Sequence, residues 1–364
     1  MIRILLALAL LIPAVVQALG TTPEKFKLPE GFSIAVFAQV PNARQMALGS
    51  RTLFVGSRDA GTVTAIPLDQ HLRPGKPIII ASGLNMPVGV AFRNGDLYIS
   101  AVNRILRLRD IESRLGNPPA AELVTDRYPS EAHHGWKFIA FGPDGKLYVP
   151  VGAPCNICAP DPDRYANITR LDVQTGKIET IARGVRNSVG FDWHPLSKEL
   201  WFTDNGRDWL GDNFPPDELN RLEKPGQHFG YPACHGNNVP DPEFGKNGCF
   251  GSTTPALNME AHVAPLGMRF YTGSMFPPEY RNAIFVAEHG SWNRSRKNGY
   301  RIMVAKLQGN KVVAYQPFVT GWLRLQQTLG RPADVLVMPD GSLLVSDDHA
   351  GLLYRVSYTP KKKK

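Results

Sequence analysis

A three-residue apolar word recurs six times along the chain: Leu53-Phe54-Val55, Leu97-Tyr98-Ile99, Leu147-Tyr148-Val149, Leu200-Trp201-Phe202, Ile284-Phe285-Val286 and Leu343-Leu344-Val345. The steps between successive words are 44, 50, 53, 84 and 59 residues. Ahead of most of them stands an apolar stretch closed by a turn, such as GVAFRNGD, FIAFGPDGK or VLVMPDGS. Behind each comes a third strand-like run (GTVTAI, NRILRL, ANITRL, DELNRL, GYRIMVAKL, GLLYRV), often followed by a fourth such as KPIIIASG or KIETIARG. Four short antiparallel strands repeated at this spacing describe a propeller blade. The chain is therefore expected to be all-β, a six-bladed β-propeller over residues 19–358. The last blade lacks a fourth strand after GLLYRV, whereas Phe32 to Val40 (FSIAVFAQV) has no blade of its own. This N-terminal strand is predicted to complete the last blade and close the ring, which removes the open sheet edge. The step of 84 residues puts one large insertion after Pro232.

With strands named A to D along each blade, antiparallel geometry sends the B–C loops and the D-to-A crossovers to one end of the ring. The A–B turns at the other end are plain (NGD, PDG). Nearly all unusual polar chemistry falls on the first end, in loops such as TDNGRDWLGDNFPPD, AEHGSWNRSRKNG and SDDHAG and in crossovers such as YPSEAHHG, GVRN and LGRPAD. That end collects His133, His134, Arg186, Asn187, Asp204, Asn205, Arg207, Asp217, Glu288, His289, Arg294, Arg331 and the run Asp347-Asp348-His349. The asymmetry predicts a site at the ring mouth for an anionic ligand, together with a metal. The run Trp201 to Pro232 is the richest part of it, offering the carboxylates, amides and glycine-exposed carbonyls that a hard cation takes. Individually each residue has a structural alternative. Arg186-Asn187 could cap a crossover, and Asp347-Asp348 could hold a turn.

The N-terminus MIRILLALALLIPAVVQALG has a single positive charge, an apolar run and then Val16-Gln17-Ala18, the pattern of a secretory signal peptide cleaved after Ala18. No later stretch is long and apolar enough for a membrane span. Five of the nine net positive charges lie at Arg3 and in the basic tail Lys361–Lys364, within residues 359–364. No basic helix or zinc-finger spacing accompanies them, so nucleic acid is not an expected partner. The four cysteines read as two local disulfides, Cys155/Cys158 and Cys234/Cys249, in an exported protein. Cys158 is followed by Ala159, so the haem-attachment pattern is absent.

The ordered series HHGWKFIAFGPDGKLYVPVGAPCNIC, GVRNSVGFDWHPLSKELWFTDNGRDWLGD, PPDELNRLEKPGQHFGYP and GRPADVLVMPDGSLLVSDDHAGLLYR resembles the soluble-type PQQ-dependent sugar dehydrogenases, in particular their L-sorbosone dehydrogenase-like branch. The resemblance implies a six-bladed propeller that binds pyrroloquinoline quinone (PQQ) and Ca2+ at its top face. It implies His134 as the catalytic base, with His133 second, and Arg186 as the group that stabilises charge on the reduced quinone. Asn187, Asn205, Arg294, Arg331 and Asp347 would contact the cofactor. Gly206 and Arg207, through backbone carbonyls, and Asp217 would hold Ca2+. Two family arginines are replaced, by Ala333 and by Phe138 beside Lys137. The implied reaction oxidises an aldose, aldehyde sugar or related alcohol: the base takes the hydroxyl proton, a hydride passes to PQQ from the carbon that bears that hydroxyl, and the electrons leave to an external acceptor. A metal-dependent lactonase or esterase, or a carbohydrate-binding propeller without catalysis, are the alternatives from other classes.

Overall fold

Each apolar triplet lies in a strand that is buried on both faces. Leu147–Val151, Leu200–Asp204, Ile284–Glu288 and Leu343–Asp347 are buried at every position, and so is Thr52–Ser57. A strand that packs on a neighbouring sheet from both sides reads as a continuous apolar run rather than an alternating one. The computed structural model, which describes residues 25–360, shows why. The six triplet strands are the second strands of six antiparallel sheets, five of four strands and one extended to five. The fold is a six-bladed β-propeller, as expected. The proposed signal segment 1–18 and Lys361–Lys364 lie outside the described residues.

The apolar core is a ring of inter-blade layers. Phe54 and Val63 of blade one meet Val90 and Leu97 of blade two, and Tyr148 and Ile168 of blade three meet Phe191 and Phe202 of blade four. Phe285 and Val304 of blade five meet Val335 and Leu343 of blade six, and Leu344 of blade six meets Met46 and Leu53 of blade one. The outer strands are different, because one edge faces water. Lys311–Thr320 and Phe32–Gln39 mix exposed with buried positions.

The ring closes as predicted. Phe32–Gln39 pairs antiparallel with Leu352–Tyr358, from Phe32 opposite Tyr358 to Gln39 opposite Leu352. The Phe32 ring also packs against Phe276, Phe318 and Tyr358, so the closure joins blades five and six. Deleting Phe32–Gln39 exposes the edge of Leu352–Tyr358, and bare edges template association. The truncated chain is expected to melt earlier and to form oligomers in light scattering. An unchanged melting point and a clean monomer would contradict this role.

The insertion falls inside blade four, between Glu218–Leu222 and its outer strand Leu257–Asn258. It lends Gln227–His228 to blade three as a parallel fifth strand and carries the Cys234–Cys249 disulfide. Cys155–Cys158 is the second disulfide, also as expected. Among the described residues helix is confined to short 3-10 turns such as Ile111–Arg114 and Pro278–Tyr280, and none is long and apolar enough to cross a membrane.

Candidate active site at the ring mouth

At the end of the ring that gathers the B–C loops and crossovers lies a cavity of about 300 Å3. Its walls come from all six blades or the crossovers between them. His133, His134, Arg186, Asn187, Asn205, Gly206, Asp217, His289 and Arg331 line it, nine of the residues singled out from sequence.

His134 sits in the crossover from blade two to blade three with φ of 50°, a left-handed conformation uncommon for a side-chain-bearing residue. Its Nδ1–H donates to the Ala153 carbonyl at 2.9 Å, which leaves Nε2 as the ring's lone-pair nitrogen. Burial, then the positive field of Arg186 and the neighbouring His133, holds its pKa well below the usual histidine value, so the imidazole is neutral around pH 7. His133 is pushed down as well, by burial and Arg186, with Asp208 opposing. Space for His134 depends on Gly152, because a Cβ there would stand 2.5 Å from the His134 Cβ. Gly152→Ala is expected to displace the imidazole and cut turnover severely in a protein that still folds. Wild-type turnover in that variant would show that the placement of His134 does not matter.

Arg186 is buried and braced. Its Nε and Nη2 donate to the carbonyl and the Oδ1 of Asn156 at 2.8 and 2.9 Å, and Nη1 donates to the Asn205 carbonyl at 3.0 Å. A guanidinium has five N–H groups, so two remain for a ligand. Asp204, buried at the end of its strand, accepts the backbone N–H of both Arg186 and Asn187 at 2.9 and 2.6 Å. Burial lifts its carboxyl to about 6 against those bonds. The Asn205 amide bridges blades four and five, donating to the Asn187 and Pro265 carbonyls, each at 3.0 Å.

Asp217 spends both oxygens on backbone, accepting from Gly206 N at 2.7 Å and Ala264 N at 2.8 Å. Burial raises it to about 7 in spite of those bonds. Its direct effect is to shape the Gly206 loop. Among the described residues no donor reaches the carbonyl oxygen of Gly206 or Arg207. The Arg207 side chain points its chemistry elsewhere, pairing with Asp241 at 2.8 Å and Glu243 at 3.1 Å to tie the loop to the insertion.

Two other expected cofactor contacts are not in the cavity wall. Arg294 is committed to the blade-four loop, donating to the Asp212 carbonyl at 2.6 Å and Asn213 Oδ1 at 3.3 Å. Asp347 holds a turn, accepting the backbone N–H of Arg331, His349 and Ala350. It acts on the site by placing Arg331, whose guanidinium donates to the His289 and Gly290 carbonyls and lies 5.5 Å from the Tyr300 ring centre. Glu288 likewise stays out, buried against Arg301 and Tyr315.

The sequence reading missed Arg44, Arg58, Trp136, Asp208, His262 and Trp292, all of which line the cavity. Arg44 is fixed by Asp348 at 2.7 Å, and Asp348 also accepts from His289 Nε2 at 2.9 Å. Arg58 lies 4.5 Å over the Trp136 ring. A charged residue inside the inner strand Ala43–Leu48 was a signal for Arg44, since that position is otherwise core. The two blade-one arginines add positive charge to the mouth.

A family model described as TrAA12-like matches residues 164–359, more than half of the chain. The chain belongs to the TrAA12-like family. An uncharacterized protein of Borreliella burgdorferi is 34% identical over 369 residues, covering 96% of this chain and 95% of its own. Among solved structures, the calcium structure of a Trichoderma reesei family AA12 carbohydrate-active enzyme superposes with a TM-score of 0.80 at 19% identity, over 94% of this chain and 100% of that one. The holo PQQ domain of pyranose dehydrogenase from Coprinopsis cinerea gives 0.76 at 18% identity, covering 91% and 97%. The PQQ-bound aldose sugar dehydrogenase of Streptomyces coelicolor gives 0.64 at 20% identity, covering 92% and 100%. At these identities the structural likenesses carry the propeller fold. The TrAA12-like membership agrees with the resemblance read from the motifs.

Proposed function

We propose that this protein is an exported quinoprotein that oxidises a sugar, an aldose or a related aldehyde or alcohol, with PQQ and Ca2+ and delivers the electrons to an external acceptor. The observation that carries the reading is a cavity with four arginines, Arg44, Arg58, Arg186 and Arg331, around a neutral histidine. The residues present fit the cofactor. Arg58 Nε and Trp136 Nε1 are buried donors in that wall with no hydrogen-bond partner among the described residues, as suits a site for an acceptor-rich, anionic ligand. The carbonyls of Gly206 and Arg207 are hard oxygen ligands of the kind Ca2+ takes, with Asp217 setting their loop.

When bound, PQQ supplies the hydride-accepting quinone and Ca2+ the Lewis acid. The chain's own residues do the rest. His134 Nε2 takes the proton of the sugar hydroxyl, and Ala153 fixes the tautomer in which that nitrogen is free. The two spare N–H groups of Arg186 stabilise developing negative charge in a water-poor site. Arg44, Arg58 and Arg331 bind and orient carboxylates, with His133, Asn187 and Asn205 completing the wall. The expected signal segment and the two disulfides support an oxidising, extracytoplasmic location.

Adding PQQ and Ca2+ to the apo-protein and following dye reduction with a panel of sugars tests the reading. Sugar-dependent reduction is expected. Absence of both reduction and PQQ binding, or hydrolysis of a lactone with metal alone, would overturn it.

A further inference from the structure

Beside the cavity stand two tryptophans that the chemistry above does not use. Trp209, in the B–C loop of blade four, is 67% exposed, and Trp292, in that of blade five, is 64% exposed. Their rings meet at 5.5 Å between centroids and 83° between planes, so the pair forms an aromatic corner. Trp292 also lines the cavity, which makes the corner continuous with the site.

The pair is built, not adventitious. Trp209 is held at φ of 72°, a left-handed conformation that a bulky residue rarely adopts and keeps only where its surroundings impose it. The surroundings do so through cross-braces between the two loops. Asn293 Nδ2 donates to Asp208 Oδ1 at 3.2 Å, the Ser295 N–H to Asp212 Oδ1 at 3.0 Å, and Arg294 to the Asp212 carbonyl at 2.6 Å. These bonds hold Asp208 and Asp212 on either side of Trp209 and the three residues that follow Trp292, and they account for Arg294. Aromatic surface fixed before binding spares a ligand the cost of ordering it.

We infer that Trp209 and Trp292 form a stacking platform for the second ring of an oligosaccharide or glycoside whose first ring reacts at His134. The inference rests on the sugar-oxidoreductase reading and deepens it to a substrate class. A cavity of about 300 Å3 is at the small end for a ligand site, so a cofactor and one reacting ring fill it and further rings lie on its rim. The rim offers what a pyranose needs, indole surface for its C–H face and, beside it, the Asp208 and Asn293 side-chain oxygens that their mutual bond does not use, for its hydroxyls. A quinone acceptor would use the indoles but has no hydroxyl to donate to those oxygens.

Two measurements test the platform. In the apo-protein without PQQ, a reducing disaccharide such as cellobiose or maltose is expected to change tryptophan fluorescence, and Trp209→Ala with Trp292→Ala to abolish the change. In the PQQ-loaded enzyme, Trp209→Ala is expected to raise KM for the disaccharide about tenfold more than KM for glucose, with kcat little altered and Trp209→Phe restoring most of the loss. Equal effects on both sugars, an unchanged titration, or a KM defect confined to a quinone acceptor would overturn the inference. The titration needs no cofactor, so failure of the dehydrogenase reading shows separately, as absent dye reduction with sugar binding intact.

Discussion

Replacing His134 with alanine is expected to lower kcat by about 10²–10⁴-fold, the usual worth of a positioned general base, while PQQ binding survives. The carboxylate-binding cations Arg44, Arg58 and Arg331 do not depend on the imidazole, since each is held by other partners. The pH profile carries the same information with a definite sign. The base works only when neutral, and burial, Arg186 and His133 hold its folded pKa well below 6.5. Turnover should therefore be flat with respect to this group from pH 6.5 upward and fall only in acid well below it. A variant that retains turnover would move the base to His133, and a profile that falls already between pH 7.5 and 6.5 would contradict the neutral, buried imidazole.

The fold was legible because a propeller writes its second strands as apolar words. Leu200–Asp204 and its counterparts pack on both faces, so their sequence has little freedom. The outer strands have an edge in water and are more loosely specified, and the outer strand of blade four, Leu257–Asn258, is further hidden by the insertion that precedes it. The closing strand Phe32–Gln39 was readable only by counting, since one blade was short by a strand and one strand had no blade.

The site was legible as a face but not residue by residue. Arg294 and Asp347 give the same loop composition as true wall residues, yet one braces two loops and the other folds a turn. Arg44 was hidden for the opposite reason. Its partner Asp348 is 304 residues away and meets it only because the ring closes. Such convergence is a property of topology, and no local window contains it.

Arg186 should be the second most costly position, and its support is testable separately from its charge. Arg186→Ala is expected to lose about 10²–10³-fold in kcat, the scale for a donor that stabilises transition-state charge. Arg186→Lys should recover little of it, because an ammonium cannot reproduce the fork that grips Asn156 and Asn205 while leaving two N–H groups free. Asn156 is the brace: it receives Nε and Nη2 of Arg186, and its Oδ1 also accepts the backbone N–H of Asp208 at 2.8 Å. It lies between the cysteines of the Cys155–Cys158 disulfide, and Tyr231 fastens the same loop through the Cys158 N–H at 3.1 Å. If the brace acts through Arg186, Asn156→Ala lowers kcat in the wild-type background but adds little to Arg186→Ala, since residues sharing one network are not additive. Opening the disulfide with Cys155→Ser and Cys158→Ser should follow the same rule, a loss with Arg186 present and almost none without it. Full additivity in that cycle would mean that the loop merely stabilises the fold and that Arg186 finds its place without it.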